Sequence, residues 1–232
     1  MLAGTVQNND LAGHGDVPPG LNVVHADDSL LVLDKPAGLL SVPGRGEDKQ
    51  DCLSTRVQQL YPEALVVHRL DMATSGLLLM ARSRGVQREL SRAFAAREVH
   101  KTYEAVVQGC LINALGADGW GMIDLPIAVD WPRRPLRIID AQTGKPSTTR
   151  WRVLALNEAR DSTRLALEPV TGRSHQLRVH LQATGHPILG DRLYAPLAVQ
   201  ERADRLLLHA CSLQLAHPVT GAPVRFDSPA PF

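Results

Sequence analysis

Residues 66–83 read VVHRLDMATSGLLLMARS, with His68, Arg69 and Asp71 in a short polar insert between the apolar runs Val66-Val67 and Leu77 to Met80. Segments of that kind read as buried strands, so the insert is a turn at a sheet edge. There an unpaired carboxylate is costly, and Asp71 must either protonate or meet a cation. A neighbouring cation favours the ionised form of a carboxylate, which a nucleophile or a base requires. A plainer reading fits this stretch equally well: Asp71 accepts backbone N–H groups around Thr74 and Ser75 and only closes a turn.

Two further segments concentrate polar chemistry. In TGRSHQLRVH (171–180), Arg173 precedes a helix on which His175 and Arg178 stand one turn apart, either as part of a site or as a solvated face. In HKTYEAVV (100–107), Lys101 and Tyr103 alternate onto the same side of a strand start. A tyrosine there packs at the rim or, beside a carboxylate, stacks on a planar ring or moves a proton. His175 and His180 do not share a helical face, and the chain has no HExxH and no Cys/His quartet, so no metal site is expected.

The elements that must position these residues follow from periodicity. Segments 21–24 and 30–34 read as strands around an Asp27-Asp28 turn, and KPAGLLSVPGRG (35–46) reads as a loop. DCLSTRVQQL (51–60) reads as a helix with Asp51 at its N-cap. Residues 83–98 form the clearest helix: Ser83 caps it, Val86, Leu90 and Phe94 make its buried stripe, and Arg84, Arg88 and Arg92 face away. Strands are expected at 103–109, at 147–156 and 163–169 around NEARDS, and within 206–218. SHQLRVHLQATG (174–185) reads as a helix capped by Ser174 and closed by Gly185. Strands outnumber helices without regular βαβ alternation, which predicts an α+β domain on a mixed, largely antiparallel sheet with flanking helices.

The 232 residues suit one large domain or two small ones, and a net charge of +1 excludes a global field for nucleic acid, leaving local basic patches to meet an anionic partner. WPRRPLR (131–137) sets three arginines beside Trp131, a mixture that suits phosphates and splayed bases, whereas the helix stripe serves equally as a solubilising surface. Three cysteines without a C-x-x-C pair argue for a reducing compartment. No apolar run approaches the roughly 20 residues of a membrane span, and MLAGTVQNNDLAGHGDVPPG lacks a signal-peptide pattern and reads as a mobile tail, residues 1–20. The expectation is a cytoplasmic monomer with no membrane partner.

HRLDMATSGLLL resembles the signature HRLD-x-x-TSG of the RluA-type pseudouridine synthase family. DKPAGLLSVPG (34–44), KTYEAVV (101–107), GRSHQLRVHLQATGHPILGDRLYA (172–195) and RLLLHACSLQLAHP (205–218) resemble its other motifs, in the family's order. Within the family the chain looks closest to the dual-specificity enzymes of ribosomal and transfer RNA. The resemblance implies a catalytic domain over 21–232 with no S4-like RNA-binding domain. It implies Asp71 as the catalytic aspartate, Tyr103 as the tyrosine packing on the target base, Arg173 as the arginine pairing with the aspartate, and Leu208 as an apolar pocket residue.

The reaction implied is conversion of uridine in RNA to pseudouridine, an isomerisation that needs no cofactor, metal or nucleotide. Asp71 acts either at the sugar C1′ as nucleophile or at C2′ as base, and the target base is flipped out of its stack. Arg69 contacts the distorted RNA or pairs with a nearby acid; Lys101, His68 and His175 are supporting or phosphate-contacting residues. The implied substrates are a 23S rRNA loop and tRNA anticodon stem-loops. A non-catalytic RNA-binding protein on the same scaffold is the main alternative, and a hydrolase releasing free uracil is another.

Overall fold

The computed structural model describes residues 21–111 and 118–232; the expected mobile tail, residues 1–20, lies outside the described residues. Among the described residues, twelve strands and four α-helices run in the order β1 (Val23–Ala26), β2 (Leu30–Lys35), α1 (Leu53–Leu60), β3 (Leu65–Val66), β4 (Ser75–Ala81), α2 (Arg84–Ala95), β5 (His100–Gln108), β6 (Gly121–Asp124), β7 (Ile127–Val129), β8 (Arg137–Ile139), β9 (Thr148–Asn157), β10 (Ser162–Pro169), α3 (Gln176–Ala183), α4 (Leu197–Gln200), β11 (Leu208–Ala216) and β12 (Pro223–Asp227). Ten strands share one sheet, ordered β1-β2-β4-β11-β5-β10-β9-β6 with β3 on β4 and β12 on β11; β7 and β8 form a separate hairpin. All the described pairings between these strands are antiparallel except β4 with β11. The architecture is the expected α+β fold.

The continuous run Leu77 to Met80 is apolar because β4 is covered on both faces. Leu78 and Met80 face a core with Leu53 and Val57 of α1, while Leu77 and Leu79 face a second core with Val86 and Leu90 of α2. Ser83 caps α2 as expected, accepting the Val86 N–H at 3.3 Å. Two other expected caps are corrected. Asp51 binds the Arg56 guanidinium through both oxygens at 2.7 Å, and Cys52 stands at the N-cap of α1. At α3 the N-cap is His175, not Ser174, and it adopts the left-handed conformation with φ 58°.

β4 and β11 meet in parallel over only two residue pairs, Ser75 with His209 and Gly76 with Ala210. Gly76 has φ +107°, and a Cβ there would stand 2.4 Å from the Ala210 carbonyl oxygen, so no other residue permits this approach. Further along, that edge of β4 passes to β3. The His68 imidazole fills the interval, its Nε2 accepting the Leu79 N–H at 2.9 Å. The polar insert of the sequence therefore lies where two strands leave β4.

Candidate active site

A cleft of about 850 Å³ opens between the 68–74 turn, the end of α2, the start of β5 and the 171–178 segment. Arg69, Arg97, Lys101, Arg150, Arg173 and Arg178 line it against Asp71 and Glu168, six cationic side chains to two carboxylates. A chain that is almost neutral overall thus gathers positive charge at one place. The helix stripe contributes less, since Arg92 is bound by Glu89 at 2.7 Å and by Glu98 at 3.1 Å.

Asp71 sits on the turn that feeds β4, with its carbonyl accepting the Thr74 N–H at 3.1 Å. Its backbone neighbours are clamped from the loop after β2. Ser41 binds Leu70 twice, donating to its carbonyl at 2.7 Å and accepting its N–H at 3.0 Å. The Met72 carbonyl accepts the Gly38 N–H at 2.8 Å and the Lys35 Nζ at 3.1 Å. Lys35 is fully buried and also donates to the Pro36 and Leu39 carbonyls, each at 2.8 Å. Burial pushes its ammonium down to about 8, and the Asp71 carboxylate opposes that loss. The segment DKPAGLLSVPG is thus the frame of the Asp71 turn. The one hint of it in sequence is a lysine closing an apolar strand, LLVLDK.

The opposite wall is built by α3. Arg178 is 3% exposed; its Nε and Nη2 donate to Asp191 at 2.8 and 2.5 Å, and its Nη1 lies 3.6 Å from Asp71 Oδ2. Burial opposes this charge, and the Asp191 carboxylate outweighs it, holding the guanidinium above its ordinary pKa. Arg173 was the residue expected to pair with Asp71. Its side chain is exposed and its Nη2 donates to the Pro146 carbonyl at 3.3 Å. The reason is the turn itself. Gln176 accepts the Arg173 N–H at 3.0 Å and the Thr171 hydroxyl at 2.7 Å, pinning the backbone ahead of α3, and the helix then carries Arg178 inward.

Tyr103 and Leu208 both line the cleft, from neighbouring strands β5 and β11. Leu208 is 3% exposed, an apolar wall. Burial, then the negative charge of Asp71, pushes the Tyr103 hydroxyl well above the usual phenol range, so it keeps its proton. Lys101 also lines the cleft, 5.7 Å above the Phe94 ring, and burial lowers its pKa. Arg69 is exposed on the rim. His68 lines the cleft, but its Nε2 is taken by the β4 backbone and its ring stacks on Phe94 at 4.6 Å. Burial and then Lys101 push this imidazole down to about 3, so it carries no charge. His180 is buried away from the cleft between Thr149 and the Leu125 carbonyl. Among the described residues no group of three or more His, Cys, Asp or Glu is arranged to hold a metal.

A carboxylate between a fixed guanidinium and an aromatic ring, inside a cationic cleft, suits an enzyme that acts on a polyanion through general carboxylate chemistry. The comparisons make that specific. Residues 29–183 match the model of the RNA pseudouridylate synthase family. The chain is 48% identical over 214 residues to the dual-specificity RNA pseudouridine synthase RluA of Escherichia coli (strain K12), covering 92% of this chain and 95% of that protein. It is 48% identical over 210 residues to the protein of the same name from Yersinia pestis, covering 90% and 99%. Among solved structures, human RNA pseudouridylate synthase domain containing 1 matches with a TM-score of 0.75 at 29% identity, over 100% of this chain and 87% of that one. The chain belongs to the RNA pseudouridylate synthase family, enzymes that isomerise uridine in RNA to pseudouridine.

Proposed function

We propose that the chain modifies specific uridines of structured RNA with Asp71 as the catalytic carboxylate. The N1–C1′ bond breaks, the uracil turns, and C5 bonds to C1′; the C5 hydrogen leaves as a proton and N1 regains one, so atoms and electrons balance without a co-reactant. Asp71 serves the sugar while the base is detached, either bonding to C1′ or taking the C2′ proton. Arg178, rather than Arg173, holds the carboxylate. Tyr103 stacks on the base instead of acting as the proton acceptor, because its own proton is held so firmly. Leu208 forms the apolar side of the base pocket. Arg69, Lys101 and Arg173 meet phosphates or bases flanking the flipped nucleotide.

The observation that carries this reading is the convergence of Asp71, Tyr103, Leu208 and Arg178 on one cationic cleft. Relatives that are dual-specificity enzymes support two RNA targets, which we take to be a 23S rRNA loop and tRNA anticodon stem-loops. The protein is proposed to work as a cytoplasmic monomer; among the described residues no helix is long and apolar enough to cross a membrane.

Release of tritium from an anticodon stem-loop RNA labelled at uridine C5 tests the assignment. Asp71→Asn is expected to retain RNA affinity within about twofold and to lose conversion by at least about 10⁴-fold, the scale of removing an acting side chain. A variant that still forms pseudouridine at a tenth of the wild-type rate refutes the role of Asp71, and free uracil as product refutes isomerisation.

A further inference from the structure

Asp71 has a second neighbour across the cleft besides Arg178. His175 Nε2 lies 3.8 Å from Asp71 Oδ1, whereas Arg178 approaches Oδ2. His175 is half-buried at the N-terminus of α3 with φ 58° and ψ 14°, a conformation uncommon for residues other than glycine, asparagine and aspartate. That conformation directs the ring back toward the 68–74 turn, while its other nitrogen is engaged from behind: Nδ1 lies 2.6 Å from the Tyr194 hydroxyl oxygen.

A third group bears on the direction of that hydrogen bond. The Tyr194 oxygen accepts the backbone N–H of Arg137, at the start of β8, at 2.9 Å. A phenol has one hydrogen, and with the Arg137 N–H accepted that hydrogen is free to point at His175 Nδ1. Burial, opposed by the Arg137 bond, pushes the Tyr194 hydroxyl up to about 12, so the hydrogen stays in place. An imidazole that accepts at Nδ1 carries its own hydrogen at Nε2. In that tautomer the nitrogen facing Asp71 is a donor with no lone pair to offer, and His175 is not a base toward the substrate.

The charged groups around the ring agree with a neutral imidazole. Burial disfavours the cation, as do Arg178 and Arg137; Asp71 and Asp191 favour it, and the balance lies below the ordinary histidine value. The distance of 3.8 Å exceeds a hydrogen bond and must shorten for one to form. Contacts around reacting groups commonly tighten in this way in the reacting complex.

We propose that His175 is a positioning residue for Asp71: a neutral Nε2–H donor to Oδ1, held in that tautomer by Tyr194, so that His175 and Arg178 together fix the plane of the carboxylate beneath the ribose. The inference rests on the reading of Asp71 as the group that serves the sugar. It also links the carboxylate to the β7–β8 hairpin, whose turn exposes Trp131 with the Arg134 guanidinium 4.8 Å above its ring.

The test uses the full chain and the C5-tritiated anticodon stem-loop RNA under single-turnover conditions, with His175→Asn, His175→Gln and Tyr194→Phe. Asparagine tolerates the left-handed backbone but its amide is too short to reach Asp71; glutamine extends an N–H to the Nε2 position. His175→Asn is expected to slow conversion about 10- to 100-fold at saturating RNA, as a misplaced reacting group does, with affinity unchanged within about twofold. His175→Gln recovers most of that loss. Tyr194→Phe frees Nδ1, and the nitrogen-15 spectrum of that variant is expected to show both neutral tautomers of His175. Nitrogen-15 spectra of the wild-type protein at pH 7 are expected to show His175 protonated at Nε2 alone. A His175→Asn rate within twofold of wild type, or a wild-type spectrum showing Nδ1–H or the imidazolium, overturns the proposal. Wild-type protein that converts no uridine instead overturns the reading of the cleft, and the tautomer is then decided by the spectrum.

Discussion

The wall carrying Asp71 and the wall carrying Arg178 each hide a charge beneath the cleft, and each satisfies it differently. Under the Asp71 turn, the ammonium of Lys35 is surrounded by three neutral carbonyls, two of them from the adjoining loop. Under α3, the guanidinium of Arg178 is matched by a full carboxylate, Asp191, which also accepts the Leu193 and Tyr194 N–H groups. The first arrangement fixes a backbone path and leaves its cation only partly compensated, lowered to about 8. The second fixes a charge and raises its pKa. A cation that only holds a loop tolerates weak compensation; one that must face the Asp71 carboxylate without merging with it needs an anion of its own.

That contrast can be broken most severely at Asp191. Asp191→Ala leaves a buried guanidinium without its partner and is expected to cost about 3–5 kcal/mol of unfolding free energy in denaturant titration. A loss below about 1 kcal/mol would mean that Arg178 has turned to Asp71 and merged the two charges. Next in size is Lys35→Met, which keeps the volume but strips donors from three carbonyls, at a cost of about 1–3 kcal/mol. This effect depends on pH in a defined direction. Below pH 8 the lysine is charged in both states. Between about 8 and 10.5 the folded protein has lost the proton that the unfolded chain keeps, so wild-type stability rises relative to the variant across that window. A gap that narrows from pH 8 to 10 contradicts the lowered ammonium. The smallest effect belongs to Arg173→Ala, on the same wall as Arg178 but exposed. Its unfolding free energy should stay within about 0.5 kcal/mol of wild type. RNA affinity should weaken, and the slope of log affinity against log salt should fall by about 0.7–0.9, one phosphate contact. An unchanged slope removes Arg173 from the RNA surface.

Several parts of this site are legible in the chain. The alternation of β5 sets Lys101 and Tyr103 together, and both line the cleft. The stripe of α2 and its Ser83 cap follow from spacing and from one hydroxyl, and the apolar run of β4 announces a strand covered on both faces. What periodicity does not carry is direction. His68 stands beside Arg69 in the insert, yet one ring completes the edge of β4 and the other side chain stays on the rim. Asp51 is a good capping residue by type, but Arg56 draws its carboxylate away from the helix end.

By itself the sequence determined that a carboxylate would stand on a strand-entry turn and that a tyrosine and a lysine would share one side of another strand, because the pattern of apolar runs and the residue types within them are local properties. It also determined the α+β architecture, since strand and helix periods are read a few residues at a time. Tertiary structure alone decided which guanidinium meets Asp71. Arg173 and Arg178 are equivalent in charge and close in sequence. The choice between them is made by Asp191, Gln176 and the left-handed turn at His175, whose partner Tyr194 is held in turn by Arg137 from a distant segment. Residue type sets what a charge can do; only folding brings the partner that sets where it points.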